Sequence, residues 1–226
     1  MSAIFGIYSL EHKKILHSRL SAMSDALIHR GPDHSGEYLN HSLAVGHRML
    51  KTVPEAENEQ QPYYDDEYQI AITADCRLDN REDLVHLFEH RRFFKDPVPD
   101  SLLILEAYKK WESGCINYLV GDFSFALWDQ HNNRLFCARD HLGVKPFYYY
   151  FKNGEFIFCS ESQVIAKNSG ISTTINEARI GDFLSPYLEG FDEVSTFYKD
   201  VFRLPPAHTA TIENNSLKII KYWEPV

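Results

Sequence analysis

The sequence is short of the features that mark a membrane protein, a metal centre or a nucleic-acid surface. No apolar run approaches the roughly eighteen to twenty residues that a membrane-spanning helix needs, so no membrane span is expected. The four cysteines, Cys76, Cys115, Cys137 and Cys159, stand far apart without a Cys-x-x-Cys pair, and the eleven histidines include no His-Glu-x-x-His. A dedicated metal site is therefore not expected. No Gly-x-x-x-x-Gly-Lys-Ser/Thr loop is present to cradle a phosphate, so no cofactor is expected for this chain. Basic residues are outnumbered, 23 Lys and Arg against 32 Asp and Glu, and lie scattered rather than on one stripe. That charge balance excludes the electrostatic footprint of a nucleic-acid or anionic-membrane binder. The start lacks a basic stretch followed by an apolar core and a cleavage site, which makes a reduced, cytoplasmic protein the expectation.

What is present is aromatic and strand-forming. The 226 residues are 44% hydrophobic and 14% aromatic, with 13 Tyr and 15 Phe, a composition suited to many half-buried strands. With no linker, repeat or low-complexity tract, the chain reads as one α+β domain of antiparallel sheets covered by helices. "AIFGIYS" is an apolar first strand, and Ile15, Leu16, Leu20, Met23, Leu27 and Ile28 recur at the spacing of a helical stripe that ends at Gly31-Pro32. "GEYLN" and "SLAVGHRML" follow as strands, "KTVPEAENEQQPYYDDE" as a surface loop, and "YQIAITA" as a strand. It ends in "DCRLDNREDLVHLFEH", a short helix with Asn80 or Asp79 as N-cap. "SLLILEAYKKWES" predicts a second helix capped by Asp100 or Ser101 and stopped by Gly114. Beyond Gly121 come paired strands: "DFSFALWD" with "RLFCARD", "FYYYFK" with "EFIFCS" across Asn153-Gly154, and "HTATIE" with "LKIIKYW" around Asn214-Asn215. Asn-Gly between apolar runs is a strong hairpin signal because both turn residues take positive φ. A helix is expected between Asn176 and Tyr187.

The opening "MSAIFGIYSL" admits two readings of Ser2. Uncovered by removal of Met1, it would carry a hydroxyl and an α-amine of pKa about 7.7–8.0, the parts of an N-terminal nucleophile and its base. With Met1 retained the amine is acylated, and Ser2 is a small residue at the start of a strand.

Taken in order, "RGPD", "GHRML", "DNREDL", "LVGDFSFALWD", "LFCARDHLGVKPFYYY", "FCSE", "RLPPAH" and "YWEP" resemble the N-terminal glutaminase domain of asparagine synthetase over nearly the whole chain. The resemblance implies a four-layer αββα sandwich of the N-terminal-nucleophile hydrolase, class II glutamine amidotransferase type, spanning residues 1–226. It implies an ATP- and magnesium-dependent synthetase domain after residue 226 as the partner.

Departures from the family pattern bear on activity. The family opens Met-Cys-Gly-Ile, whereas this chain has Met1, Ser2, Ala3 and Ile4. The family's Asn-Gly-Glu, which supplies oxyanion donors and grips glutamine, is matched by Asp75, Cys76 and Arg77. A carboxylate in place of an amide donor opposes a developing oxyanion, where loss of one donor costs about 10²- to 10³-fold in rate. By the same resemblance Arg48 matches the arginine that holds the substrate carboxylate, and Asp100 the acid that holds its amine. These four charged residues are expected either to bind a small amino acid or to pair into a salt-bridge network plugging a disused cavity, since buried charges persist when paired. Cys76 is expected to be an inert buried thiol. Arg139, Asp140 and Lys145 of "RDHLGVKP" are candidates for a contact with the synthetase domain.

The resemblance extends to β-lactam synthetases and to the macrolactam-forming cyclases of lasso peptides, which lack the Cys, and "ADCRLDNREDL" is closest to the latter. The expectation is a catalytically degenerate glutaminase-like domain, with a precursor peptide and its processing proteins as further partners. An active N-terminal Ser amidohydrolase, a non-enzymatic peptide- or protein-binding scaffold, and a part of an ammonia-dependent asparagine synthetase are the alternatives.

Overall fold

The structure, a computed structural model, describes all residues except 58, 89–97, 169–170, 172–173, 186, 188–190 and 226. In chain order, β1 (Ala3–Ser9), α1 (His17–Ala26), β2 (His34–Asn40) and β3 (Leu43–Met49) precede β4 (Tyr63–Asp65) and β5 (Ile70–Leu78). Then come α2 (Arg81–Phe88), α3 (Asp100–Trp111), β6 (Gly121–Asp129), β7 (Arg134–Arg139), β8 (Tyr148–Lys152) and β9 (Glu155–Cys159). The chain finishes with α4 (Ser162–Ala166), α5 (Glu177–Leu184), β10 (Phe202–Arg203), β11 (His208–Glu213) and β12 (Ser216–Lys221).

The strands form two six-stranded sheets, ordered β10-β8-β9-β1-β3-β2 and β12-β11-β7-β6-β5-β4, and each neighbouring pair is antiparallel. Period-two alternation divides each central strand between two cores. In β1, Ala3, Phe5 and Ile7 pack with Leu20, Met23 and Ile165 of the α1 and α4 layer. Ile4 and Tyr8 point the other way, with Trp128, Leu135 and Ala210 of the second sheet. In β6, Phe123, Phe125 and Leu127 meet Leu103, Ile104 and Tyr108 of α3, while Ala126 and Trp128 face the first sheet. Helix, sheet, sheet, helix is the expected four-layer order.

The Asn153-Gly154 turn has both φ angles positive, 57° and 74°, and Asn214-Asn215 does the same at 51° and 58°. Gly121, which starts β6, has φ 144°, and a Cβ there would lie 2.1 Å from the Arg77 carbonyl oxygen. Only glycine lets β6 begin this close to the end of β5.

Several local expectations are corrected. The stripe buries Ile15, Leu20, Met23 and Leu27 but leaves Leu16 and Ile28 exposed; of the six, only Leu20 and Met23 lie within α1. Pro99, not Asp100 or Ser101, is the N-cap residue of α3, and the helix ends at Glu112, with φ 49°, before Gly114. Asn80 does not cap α2 with its side chain: the amide bridges Tyr118 O and the Val120 N–H instead. The stretch 51–67 is not simply a surface loop, since it contains a 3₁₀ turn at Pro54–Ala56, strand β4 and the buried Gln61. Asn176 does cap α5, accepting from the Arg179 N–H. Residues 89–90 and 186 of the two expected helices lie outside the described residues. None of the described helices is long and apolar enough to cross a membrane.

Candidate functional site

At one end of the sheet-to-sheet interface, the chain start, β3 and β5 surround a cavity of about 230 Å³. Ser2 lines it from the residue before β1. Its Oγ accepts a hydrogen bond from the Leu50 N–H at 3.1 Å, and its carbonyl accepts from Arg30 Nε at 3.2 Å. Ser160 pins the strand behind it: its Oγ accepts from the Ile4 N–H at 3.0 Å and its N–H donates to Ile4 O at 2.9 Å.

The cavity floor comes from β5, where alternation turns Thr73 and Asp75 to the sheet-to-sheet side and packs Ala74 and Cys76 against the α3 core. Thr73 Oγ1 donates to Gly46 O at 3.2 Å and lies 3.1 Å from His47 Nδ1. A hydroxyl has one proton to give, so His47 donates from Nδ1. Burial lowers the His47 pKa to about 3, with the charge of His34 adding to the shift. The unfolded chain therefore takes up this proton first, and the stability held above pH 6.5 is lost as pH falls toward 3. Between pH 7 and pH 5 this group is expected to cost about 2 kcal/mol, absent in His47→Gln; urea unfolding at the two pH values measures it.

Asp75 accepts from Lys145 Nζ at 2.8 Å on Oδ1, with its side chain only 5% exposed, and Oδ2 is buried with no partner among the described residues. Lys145 is delivered by the loop after β7. Asp140 accepts there from the N–H groups of Leu142, Val144 and Lys145, at 3.2, 2.9 and 2.9 Å. Arg139 donates to the carbonyls of Gly143, Lys145 and Leu204. Both side chains are buried, Asp140 spent on its own loop and Arg139 on that loop and the Leu204 carbonyl, so the sequence-derived trio divides: Arg139 and Asp140 build the turn, and Lys145 reaches the cavity.

The plug expected from Arg48, Asp75, Arg77 and Asp100 is not the arrangement formed. Arg48 donates from Nε to Ser24 O and Oγ at 3.0 and 2.9 Å and sits 3.6 Å from Asp25. Arg77 turns to Asp79 and Asp122, each at 3.2 Å. Asp100 accepts from the Leu78 N–H at 2.8 Å and from Arg81 at 3.2 Å. Burial raises the Asp100 pKa, opposed by those two donors. Each charge has found a nearer partner than the cross-cavity one.

Two lining residues went unnoticed in the sequence. Gln61 closes its amide on Ala74, donating to its carbonyl at 3.0 Å and accepting from its N–H at 2.6 Å, as a neighbouring strand would. Glu59 accepts from Gln61 Nε2 at 3.0 Å and from Ser101 Oγ, and burial raises its pKa. No spacing rule marks either residue in a polar stretch. Cys76 also lines the cavity, with its thiol pushed well up by burial and then by Glu59, Asp100 and Asp75, so it stays protonated at neutral pH. All four cysteines are free thiols. Among the described residues no group of three His, Cys, Asp or Glu is placed to hold a metal ion.

A family model described as a glutamine amidotransferase domain matches residues 1–223. The chain belongs to this family. It is 32% identical over 212 residues to asparagine synthetase [glutamine-hydrolyzing] 3 of Bacillus subtilis, covering 90% of this chain and 33% of that protein. It is 30% identical over 238 residues to a putative asparagine synthetase of Methanocaldococcus jannaschii, covering 94% of this chain and 44% of the relative. The amidotransferase domain described here thus spans less than half the length of these relatives. Its fold is shared with glutamine phosphoribosylpyrophosphate amidotransferase of B. subtilis, at TM-score 0.70 and 13% identity over 99% of this chain and 50% of that one.

Proposed function

We propose that this amidotransferase domain belongs to an ATP-dependent amide-forming synthetase and no longer releases ammonia from glutamine. The observation that carries the reading is Asp75: a buried carboxylate, one oxygen without a partner among the described residues, where the family resemblance places an amide donor. Negative charge beside a developing oxyanion raises the barrier that such a donor would lower. Ser2 adds to it, because a hydroxyl needs a committed base where a thiol is already partly ionised.

With ammonia release lost, the nucleophile is an amine already carried by the substrate. ATP with magnesium, held by a synthetase domain, would supply activation of the carboxylate it attacks. The product we favour is a peptide macrolactam of the lasso type, on the likeness of "ADCRLDNREDL" to those cyclases. This domain would then brace the synthetase domain through the exposed Leu142 and Val144, which the Asp140 turn presents outward, and contact the precursor peptide.

The test is ammonia release from glutamine, with intact mass recorded on the same sample. Release at the uncatalysed background in protein lacking Met1 is the expected result. Turnover that Ser2→Ala abolishes would overturn the proposal and make Ser2 an active N-terminal nucleophile.

A further inference from the structure

We propose that His141 is a positioning residue: clasped between Phe123 and the Tyr222-Trp223 segment that follows β12, it sets where the turn holds Lys145 and so couples that segment to the cavity.

The bonds that Asp140 and Arg139 make within the turn fix its shape, but its place against the sheets needs contacts with other elements. His141 supplies them on two sides. Its ring centroid lies 6.3 Å from Phe123, 5.3 Å from Tyr222 and 5.1 Å from Trp223, with interplanar angles of 80°, 80° and 83°, edge-to-face packing in each case. Burial lowers the His141 pKa, opposed by Asp140, so the ring is neutral at pH 7 and packs as an aromatic side chain. Phe123 is fully buried and lies directly across the β5–β6 pairing from Cys76 of the cavity lining.

Hydrogen bonds stitch the same parts together. The Asp140 N–H donates to Phe123 O at 2.8 Å, the Ala207 N–H to Asp140 O at 2.9 Å, and the Tyr222 N–H to Ala207 O at 2.8 Å. The Tyr222 hydroxyl donates to Arg139 O at 2.8 Å, and burial together with the charge of Asp140 raises its pKa, so the proton it donates stays in place. Lys145 stands four positions beyond His141 and meets Asp75 at 2.8 Å. Since a hydrogen bond of this kind spans only about 2.7–3.2 Å, a turn displaced by more than a few tenths of an ångström lets the pair part. Movement of Trp223 is thus carried through the His141 ring to Lys145, by packed groups in unbroken contact.

Trace labelling with limiting acetic anhydride at pH 7, mapped by peptide mass spectrometry, reads the freedom of each lysine amine in the purified protein. His141→Ala is expected to label Lys145 about tenfold faster than the unaltered chain, and Trp223→Ala about threefold faster, as a charge-assisted bond is loosened. Lys109, held by Asp65 and Glu106 at the opposite end of β5, keeps its rate in both. His141→Phe, which keeps a ring at this place, returns Lys145 to within about twofold of its original rate. Trp223 is 38% exposed, so Trp223→Ala reports on the clasp even if His141→Ala fails to fold. The inference is overturned by an unchanged Lys145 rate in either variant, by an equal rise at Lys109, which marks general loosening, or by failure of His141→Phe to restore the rate.

Discussion

Ser2→Cys alone is expected to leave ammonia release from glutamine at background, and Ser2→Cys joined with Asp75→Asn, Cys76→Gly and Arg77→Glu to raise it at least a hundredfold over the single variant. The thiol restores the better nucleophile, yet attack on the amide still places negative charge on an oxygen beside Asp75. Lys145 neutralises one edge of that carboxylate from 2.8 Å, but the buried Oδ2 has no partner among the described residues. Asp75→Asn turns an acceptor into a donor at one position, a change worth about 10²- to 10³-fold by comparison with loss of a single oxyanion donor. Cys76→Gly removes a side chain from the lining, and Arg77→Glu restores the family's acid beside it. Coupled spectrophotometric detection of ammonia, on samples whose mass shows Met1 removed, gives the comparison. Activity in Ser2→Cys alone would show that Asp75 is tolerated and that the nucleophile was the sole defect.

Asp140→Ala is expected to destabilise the domain by about 3–5 kcal/mol, the range for leaving buried charge-assisted hydrogen bonds unmade. Asp140 is 1% exposed and accepts from three backbone N–H groups in the turn before Lys145. The neighbouring Arg139, bound to three carbonyls, would keep its charge without the adjacent carboxylate. For a domain of this size the loss corresponds to roughly 10 °C in melting temperature, readable by calorimetry. Asp140→Asn, which keeps one acceptor oxygen, should lose less than half as much. A change within 1 °C for Asp140→Ala would return this residue to the surface role suggested by its place in "RDHLGVKP".

The course of the strands was legible because burial on both faces leaves an unbroken apolar run. Which residues of β1 and β6 face which of the two cores follows from the pleat once the sheets are placed. The hairpins at Asn153-Gly154 and Asn214-Asn215 were legible for a local reason, since a turn that needs positive φ selects its residues. Helix caps were less so: Asp100 looks like a cap in sequence, but its carboxylate goes to Leu78 and Arg81, contacts spanning 22 and 19 positions.

The site divides along the same line. Its residue types were read directly: a serine behind Met1, an aspartate, cysteine and arginine after a buried strand, and the lysine of a conspicuous turn. Their pairing was not, because alternation fixes which face a side chain takes and says nothing about which distant charge shares that face. Lys145 reaches Asp75 across 70 positions, Arg48 settles on Ser24 across α1, and Glu59 and Gln61 enter the lining from a stretch whose polarity reads as solvent-exposed. The sequence by itself determined the layers, the hairpins, the family and the serine behind Met1, all of which depend on local pattern or residue identity. Only the tertiary structure decided that a cavity remains and that one oxygen of Asp75 has no partner among the described residues, because that depends on which of several nearby groups lies within hydrogen-bonding distance.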